Sequence, residues 1–282
     1  MRERLRDWWL TLKDSRLTAE RVKSFATADV LVVSYTKSGR TWLRVLLSNY
    51  YSRRFGLSDK ELIDGGNFHR QRADIPKIFF APDTRFPYPE LGPPKVHARA
   101  HQKIVFLVRD PRDVAVSLYF HVRSRAGERE LRRKKIPLGA RELDIDSFVL
   151  DPSFGAARMI GYLNRWAEER RTLAQAHLLR YEDLRADTEA TFADLLAFIG
   201  ETVDPAQVSE TVRFASFQSL QQKEREGYFN SDRLGQTRAG DAETAKVREG
   251  RVGGYRSSLR PETADRLDRL VEERLAPDFG YR

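Results

Sequence analysis

The sequence predicts an α/β fold: a single domain with a central parallel β-sheet flanked by helices. Three observations lead there. Short apolar runs alternate along the chain with segments of helical spacing, the pattern of parallel strands joined by crossover helices. At two handovers, after Val33 and after Val108, an apolar run passes through a short polar loop straight into a helical segment. The chain has 282 residues, 40% of them hydrophobic and 11% aromatic, enough to bury one sizeable core and unlike a disordered composition.

The elements follow in order. Residues 1–28 open with MRERLRDWWLTLKDSRL, in which Leu5, Trp8, Trp9 and Leu12 lie among Arg2, Arg4, Arg6 and Lys13. This reads as an N-terminal amphipathic helical extension, packed on its own domain or lying on an anionic membrane. Its charges interrupt the apolar residues, so it lacks the core of a signal peptide, and no stretch elsewhere approaches a membrane span. A cytoplasmic protein is expected. Residues 30–35 form the first strand and 41–51 its helix. Residues 62–94, rich in proline and aromatics, read as a long loop or lid, and 95–99 as a short strand. The apolar run 104–108 is a buried strand, and 113–121 a helix introduced by Asp110-Pro111.

Residues 123–141 carry a basic run whose default is a solvated helix face, the alternative being a surface for an anionic ligand. Aromatics do not interleave with it, so no nucleic-acid partner is expected. Residues 154–173 form an amphipathic helix with Met159, Leu163, Trp166 and Leu173 as a core stripe. A third strand covers 176–181, and the helix after it runs through Phe192, Leu195, Leu196 and Ile199. Residues 221–254, rich in glycine and charge, form a second candidate lid.

Charge narrows the partners. Fifty Lys and Arg against 41 Asp and Glu leave +9, which favours anions: nucleic acid, an anionic membrane, or a phosphorylated or sulfated small molecule. The absence of cysteine excludes disulfides, zinc thiolates and thiol catalysis.

The most informative stretch is residues 34–42, SYTKSGRTW, where the first strand meets its helix. A loop entering a helix presents unpaired N–H groups and the positive end of the helix dipole. Gly39 permits close backbone approach, Ser38 and Thr41 offer hydroxyls, and Lys37 adds a full charge. The site is fit for phosphate or sulfate. It is not a Walker A loop, because the lysine precedes Ser-Gly and no glycine opens the segment. The second handover reads Arg109-Asp-Pro-Arg-Asp-Val-Ala-Val-Ser117. Arginine offers a fork to phosphate, and a serine two turns along the helix faces the same ligand; pairing of Arg109 with Asp110 or Asp113 is the structural alternative.

Together these stretches resemble the PAPS-dependent sulfotransferases, whose 5′-phosphosulfate loop typically reads YPKSGTTW. Residues 35–42 keep its lysine, serine, glycine, second threonine and tryptophan, with Thr36 in place of proline and Arg40 in place of threonine. The resemblance implies a P-loop-like domain over 29–282 that binds 3′-phosphoadenosine 5′-phosphosulfate (PAPS) as donor with no metal required. It implies that Lys37, Ser38, Gly39, Arg40 and Thr41 hold the phosphosulfate, and that Arg109 and Ser117 hold the 3′-phosphate. Tyr181, in a YEDL segment, would reach the adenosine, and Trp42 and Phe217 would sandwich the adenine.

Arg248-Glu-Gly-Arg-Val-Gly-Gly-Tyr-Arg resembles the family's RKGxxGDWK segment, so Arg248, Glu249 and Gly250 join the donor site, Glu249 standing where the family has lysine. Lys95-Val-His97 resembles its K-T-H segment, which makes His97 the base and Lys95 a stabiliser of the transferring group, with His101 or a carboxylate as alternative bases. The similarity spans residues 29–256.

Sulfuryl transfer needs an in-line acceptor oxygen, relief of charge on the departing phosphate and removal of the acceptor proton. Lys37 fits the second task and a histidine the third. The expected acceptor is a hydroxyl on a carbohydrate or lipid-linked molecule. Two other functions remain at this point: an ATP-dependent small-molecule or nucleoside kinase of P-loop type, and a non-catalytic anion- or membrane-binding protein. Oligomeric state is left open.

Overall fold

The computed structural model describes residues 27–57, 67–81, 102–229 and 250–282. Four strands, β1 Val30–Val33, β2 Ile78–Ala81, β3 Lys103–Val108 and β4 Ala176–Arg180, form one sheet. Their order is β2-β1-β3-β4, and every pair is parallel.

Helix α1, Arg40–Phe55, leaves β1, and the short α2, Asn67–Gln71, precedes β2. After β3 come α3 Pro111–Ser124, α4 Glu128–Arg133, α5 Ile145–Leu150 and α6 Ala156–Arg170. After β4 come α7 Tyr181–Ala186, α8 Thr188–Ile199, α9 Pro205–Phe214 and α10 Phe217–Arg225. The chain closes with α11 Tyr255–Ser258 and α12 Pro261–Arg274.

Strand β3 shows why the sheet is buried on both faces. Val105 and Leu107 point to one side, where they meet Leu43, Leu46, Leu47 and Tyr50 of α1 and Phe192, Leu195 and Leu196 of α8. Ile104, Phe106 and Val108 point to the other, against Ile160, Leu163 and Trp166 of α6 and Val271 of α12. The period of two along the strand thus selects which helices each face buries. A third cluster joins α3 to α5 through Leu118, Tyr119 and Val122 against Phe148 and Val149.

The order of the strands positions the site. From β1 the chain reaches β2 on one side and β3 on the other, so the loops leaving the carboxyl ends of β1 and β3 diverge. Crevices at such a switch point are where open α/β sheets hold ligands.

Several expectations are corrected. The first strand ends at Val33, not at residue 35, because the backbone turns into a loop in which Lys37 already has a left-handed φ of 70°. The stretch 62–94, read as loop, contributes β2, whose four residues pair with β1 from Val30↔Ile78 to Val33↔Ala81. Four apolar residues among prolines are too short a run to stand out. The helix after β4 is two helices: Asp187, with φ −139° and ψ 90°, breaks the first and caps the second by accepting from the Ala190 N–H.

The basic run is not one solvated face either, since Leu131, Lys134 and Ile136 within it are buried. The proposed strand at 95–99 and nearly all of the N-terminal extension lie outside the described residues. Among the described residues no helix is long and apolar enough to cross a membrane.

Leu46 is fully buried between α1 and the sheet. Leu46→Ala is therefore expected to cost about 2–5 kcal/mol in urea-induced unfolding; a loss below about 1 kcal/mol would contradict this packing.

Candidate active site

The loop between β1 and α1 is shaped by two residues with left-handed backbone, Lys37 at φ 70° and Gly39 at φ 96°. Alternation of this kind turns successive N–H groups toward one point, an anion-binding nest. Gly39 stands at the N-cap of α1 with no side-chain cap, and the first helical turn carries no acidic residue. The N-terminal N–H groups and the positive end of the helix dipole thus meet no counter-charge within the helix's own cap or first turn. Glycine is required at 39 for a second reason: a Cβ there would lie 2.6 Å from Cδ2 of Tyr181.

Tyr181 begins α7 directly after β4, one residue past the Val108↔Arg180 pairing, so it lies level with Arg109. The Arg109 guanidinium stacks 4.4 Å from the Tyr181 ring centroid. It is held from two further sides. Its Nη2 donates to the Arg251 carbonyl at 3.0 Å, and it pairs with Asp113 at 3.6 Å. Asp113 also accepts from the N–H groups of Gly253 (2.9 Å) and Tyr255 (3.0 Å), which fastens the segment from residue 250 onto α3. Burial pushes the Asp113 carboxyl above the usual carboxylate range, and Arg109 and the two N–H groups act against it. Nε of Arg109 is buried and makes no hydrogen bond among the described residues. A guanidinium and an uncapped helix start are both groups that favour an anion.

Aromatic groups line the next part. Trp42 packs edge-on to Tyr181 at 5.8 Å and donates from Nε1 to the Ala215 carbonyl at 2.8 Å. Phe217, at the start of α10, approaches Gly250, whose φ is 57° and whose Cβ position would be 3.1 Å from the Phe217 ring. The Tyr181 hydroxyl donates to the Gly250 carbonyl at 3.3 Å. Burial raises the Tyr181 phenol above its ordinary range, with Arg109 and Arg185 opposing, so it remains a neutral donor. The Arg185 guanidinium lies 5.6 Å from the Trp42 ring centroid and 5.8 Å from that of Phe217, within cation–π reach of both.

These groups surround one cavity of about 320 Å³, which Lys37, Gly39, Arg40, Thr41 and Trp42 line from the first loop. Arg109, Ser117, Tyr181, Phe217 and Gly250 line it from the other elements. Ser38 is buried beneath the loop and is not among the lining residues. Arg40 lines the cavity but turns Nη1 to the Ala81 carbonyl at the end of β2, 3.2 Å away. Arg109 lines the cavity and is also paired with Asp113, the structural alternative that the sequence offered. Lys95, His97, His101, Arg248 and Glu249 lie outside the described residues.

Two groups that sequence reasoning passed over also line the cavity, His121 and Glu130. His121 Nε2 and Glu130 Oε1 are 2.9 Å apart, and Lys134 Nζ reaches the same oxygen at 3.0 Å. Lys134 in turn donates to the Thr36 hydroxyl at 2.9 Å. Burial, reinforced by the Lys37 charge, pulls the His121 imidazole down to about 4 against the opposing effect of Glu130. Burial works against ionisation of Glu130, but the hydrogen bond from His121 and the Lys134 charge prevail and hold its carboxyl well below the usual range. One signal for His121 was present in the sequence: it follows Ser117 by four residues, hence shares its helix face.

Fold and cavity define an α/β protein with a phosphate-binding loop at a switch point and without the Walker order. The family described as Sulfotransferase domain matches residues 27–278. Cytosolic sulfotransferase 17 of Arabidopsis thaliana is 28% identical over 95% of this chain and 80% of its own length. The Amine sulfotransferase of Oryctolagus cuniculus is 24% identical over 96% of this chain and 89% of its own. Mouse sulfotransferase SULT7A1 complexed with PAP shares the fold, with a TM-score of 0.59 at 19% identity over 88% of this chain and 84% of that one. The chain belongs to the PAPS-dependent sulfotransferase family.

Gly39 and Gly56 both have left-handed backbone, but only Gly39 faces a ring, Gly56 having nothing within 4 Å of its Cβ position. Each alanine substitution is expected to cost about 1–2 kcal/mol of backbone strain. Gly39→Ala should lower the thermal midpoint further than Gly56→Ala does; equal midpoints would contradict the Tyr181 contact.

Proposed function

We propose that this sulfotransferase moves the sulfuryl group of PAPS onto a hydroxyl of a carbohydrate or lipid-linked small molecule in the cytoplasm. One observation carries the donor assignment: the start of α1, with no side-chain cap and no acidic residue in its first turn, and the Arg109 side chain line the same cavity. The relatives support a sulfuryl acceptor of small-molecule size, since one of them is named for amines.

PAPS, when bound, supplies an activated sulfuryl group on a phosphate leaving group. The Gly39, Arg40 and Thr41 region, with Ser38 behind it, holds the phosphosulfate end through backbone N–H groups and the Thr41 hydroxyl. Arg109 and Ser117, eight residues apart over the start of α3, take the 3′-phosphate together with Arg248, and Glu249 and Gly250 belong to the same donor segment. Trp42, Tyr181 and Phe217 take the adenosine. Lys37 sets its ammonium where negative charge develops on the departing oxygen, the position at which a fixed cation lowers the barrier most. His97 accepts the acceptor proton, and Lys95 steadies the transferring group. The strained backbone at Lys37 fits this role, since left-handed geometry at a lysine persists only where its surroundings enforce it.

With labelled PAPS and a panel of hydroxylated acceptors, Lys37→Ala and His97→Ala are each expected to lower kcat about a hundredfold or more. Arg109→Ala should act chiefly on the KM for PAPS. Wild-type kcat in folded Lys37→Ala or His97→Ala would remove that residue from its role, and an unchanged KM in Arg109→Ala would remove the 3′-phosphate assignment.

A further inference from the structure

The polar chain Thr36–Lys134–Glu130–His121 has no part in the donor chemistry described above, yet it runs from the phosphate loop to the cavity wall. Each link is short: Lys134 Nζ to Thr36 Oγ1 at 2.9 Å, Lys134 Nζ to Glu130 Oε1 at 3.0 Å, and Glu130 Oε1 to His121 Nε2 at 2.9 Å. Lys134 and Thr36 are buried while His121 and Glu130 are half-buried, so the network runs from beneath the loop to the cavity surface. It also accounts for the departure at residue 36, where threonine supplies a hydroxyl that proline lacks.

Charge fixes the protons. Glu130 is ionised and accepts from both neighbours, so Nε2 of His121 carries the hydrogen and Nδ1 carries the lone pair. His121 and Glu130 both line the cavity, and the bonds to His121 and Lys134 engage only Oε1 of Glu130 and Nε2 of His121. The charged groups acting on His121 are Lys37 from the phosphate loop and Glu130 and Lys134 from the α4 region. With the imidazole neutral, this wall presents two hydrogen-bond acceptors next to Lys37. A wall of that kind favours a molecule bringing hydrogen-bond donors and disfavours one that buries it unpaired.

We propose that His121, held by Glu130, reads a second hydroxyl on the acceptor beside the one that is sulfated, which makes the preferred acceptors vicinal polyols of the carbohydrate class. This rests on the sulfotransferase reading above and narrows its acceptor. His121 touches the acceptor; Glu130 is a positioning residue that sets the tautomer, and Lys134 and Thr36 anchor Glu130 to the loop.

The test uses a matched pair, cyclohexanol and trans-cyclohexane-1,2-diol, which differ by one hydroxyl. In the full-length protein saturated with 3′-phosphoadenosine 5′-phosphate, the diol is expected to shift the His121 imidazole 15N resonances, and cyclohexanol to shift them far less. Its affinity should exceed that of cyclohexanol roughly tenfold or more. The preference should collapse toward unity in His121→Phe and shrink in Glu130→Gln, which keeps the side-chain shape and carries the test if the first variant does not fold. In turnover with PAPS the same discrimination should appear in KM and not in kcat. Undisturbed His121 resonances, a preference surviving both substitutions, or tighter binding of cyclohexylamine than of the diol would each overturn the proposal. Failure of the wild type to bind 3′-phosphoadenosine 5′-phosphate would be seen first, and would overturn the donor reading and this inference with it.

Discussion

The site depends on one buried carboxylate. Asp113 on α3 accepts from the N–H groups of Gly253 and Tyr255 and pairs with Arg109 at 3.6 Å. That single group fastens a distant segment of chain to the helix after β3 and fixes the arginine at the end of β3. The fixed guanidinium sits over the Tyr181 ring, and Tyr181 occupies the space that any side chain at residue 39 would need. Four parts of the sequence are thereby locked in one arrangement: the loop after β1, the start of α3, the start of α7 and the stretch at 250–255. Burying an acid is costly unless it is fully paired, and here three donors face it.

Electrostatics then divides the cavity. On the donor side Lys37, Arg109 and the start of α1 all favour anions, and no acidic residue in the first turn of α1 offsets them. Elsewhere in its lining Glu130 is a negative group, paired with Lys134 and bonded to a neutral His121. A cavity of about 320 Å³ that holds both kinds of group suits a reaction that moves an anionic sulfuryl group from one ligand to another.

Much of this was legible in the sequence because the chemistry demands particular residue types next to one another. The loop at 34–42 and the stretch from Arg109 to Ser117 each lie on one strand-to-helix handover, so the lysine, the glycine, the arginine and the serine are read without knowing the fold. β3 and β4 were legible as apolar runs, and the stripe of α6 as Met159, Leu163 and Trp166. What escaped was set by three-dimensional pairing. β2 is four residues long and is a strand because β1 lies beside it. His121 and Glu130 meet only because the chain turns between α3 and α4, and a carboxylate within a basic run reads as surface until that turn is known. Asp113 looked like a plain partner for Arg109, since Gly253 and Tyr255 are about 140 residues away in sequence.

The central claim is that the diverging ends of β1 and β3 form a cavity for a 3′-phosphorylated adenine nucleotide, held without the Walker arrangement. Calorimetric titration of the wild-type protein with 3′-phosphoadenosine 5′-phosphate, beside a parallel titration with ATP and magnesium, tests it most directly. Micromolar, one-to-one binding of the first and far weaker binding of the second are expected. Equal or tighter binding of ATP with magnesium, or binding of neither by the folded protein, would contradict it.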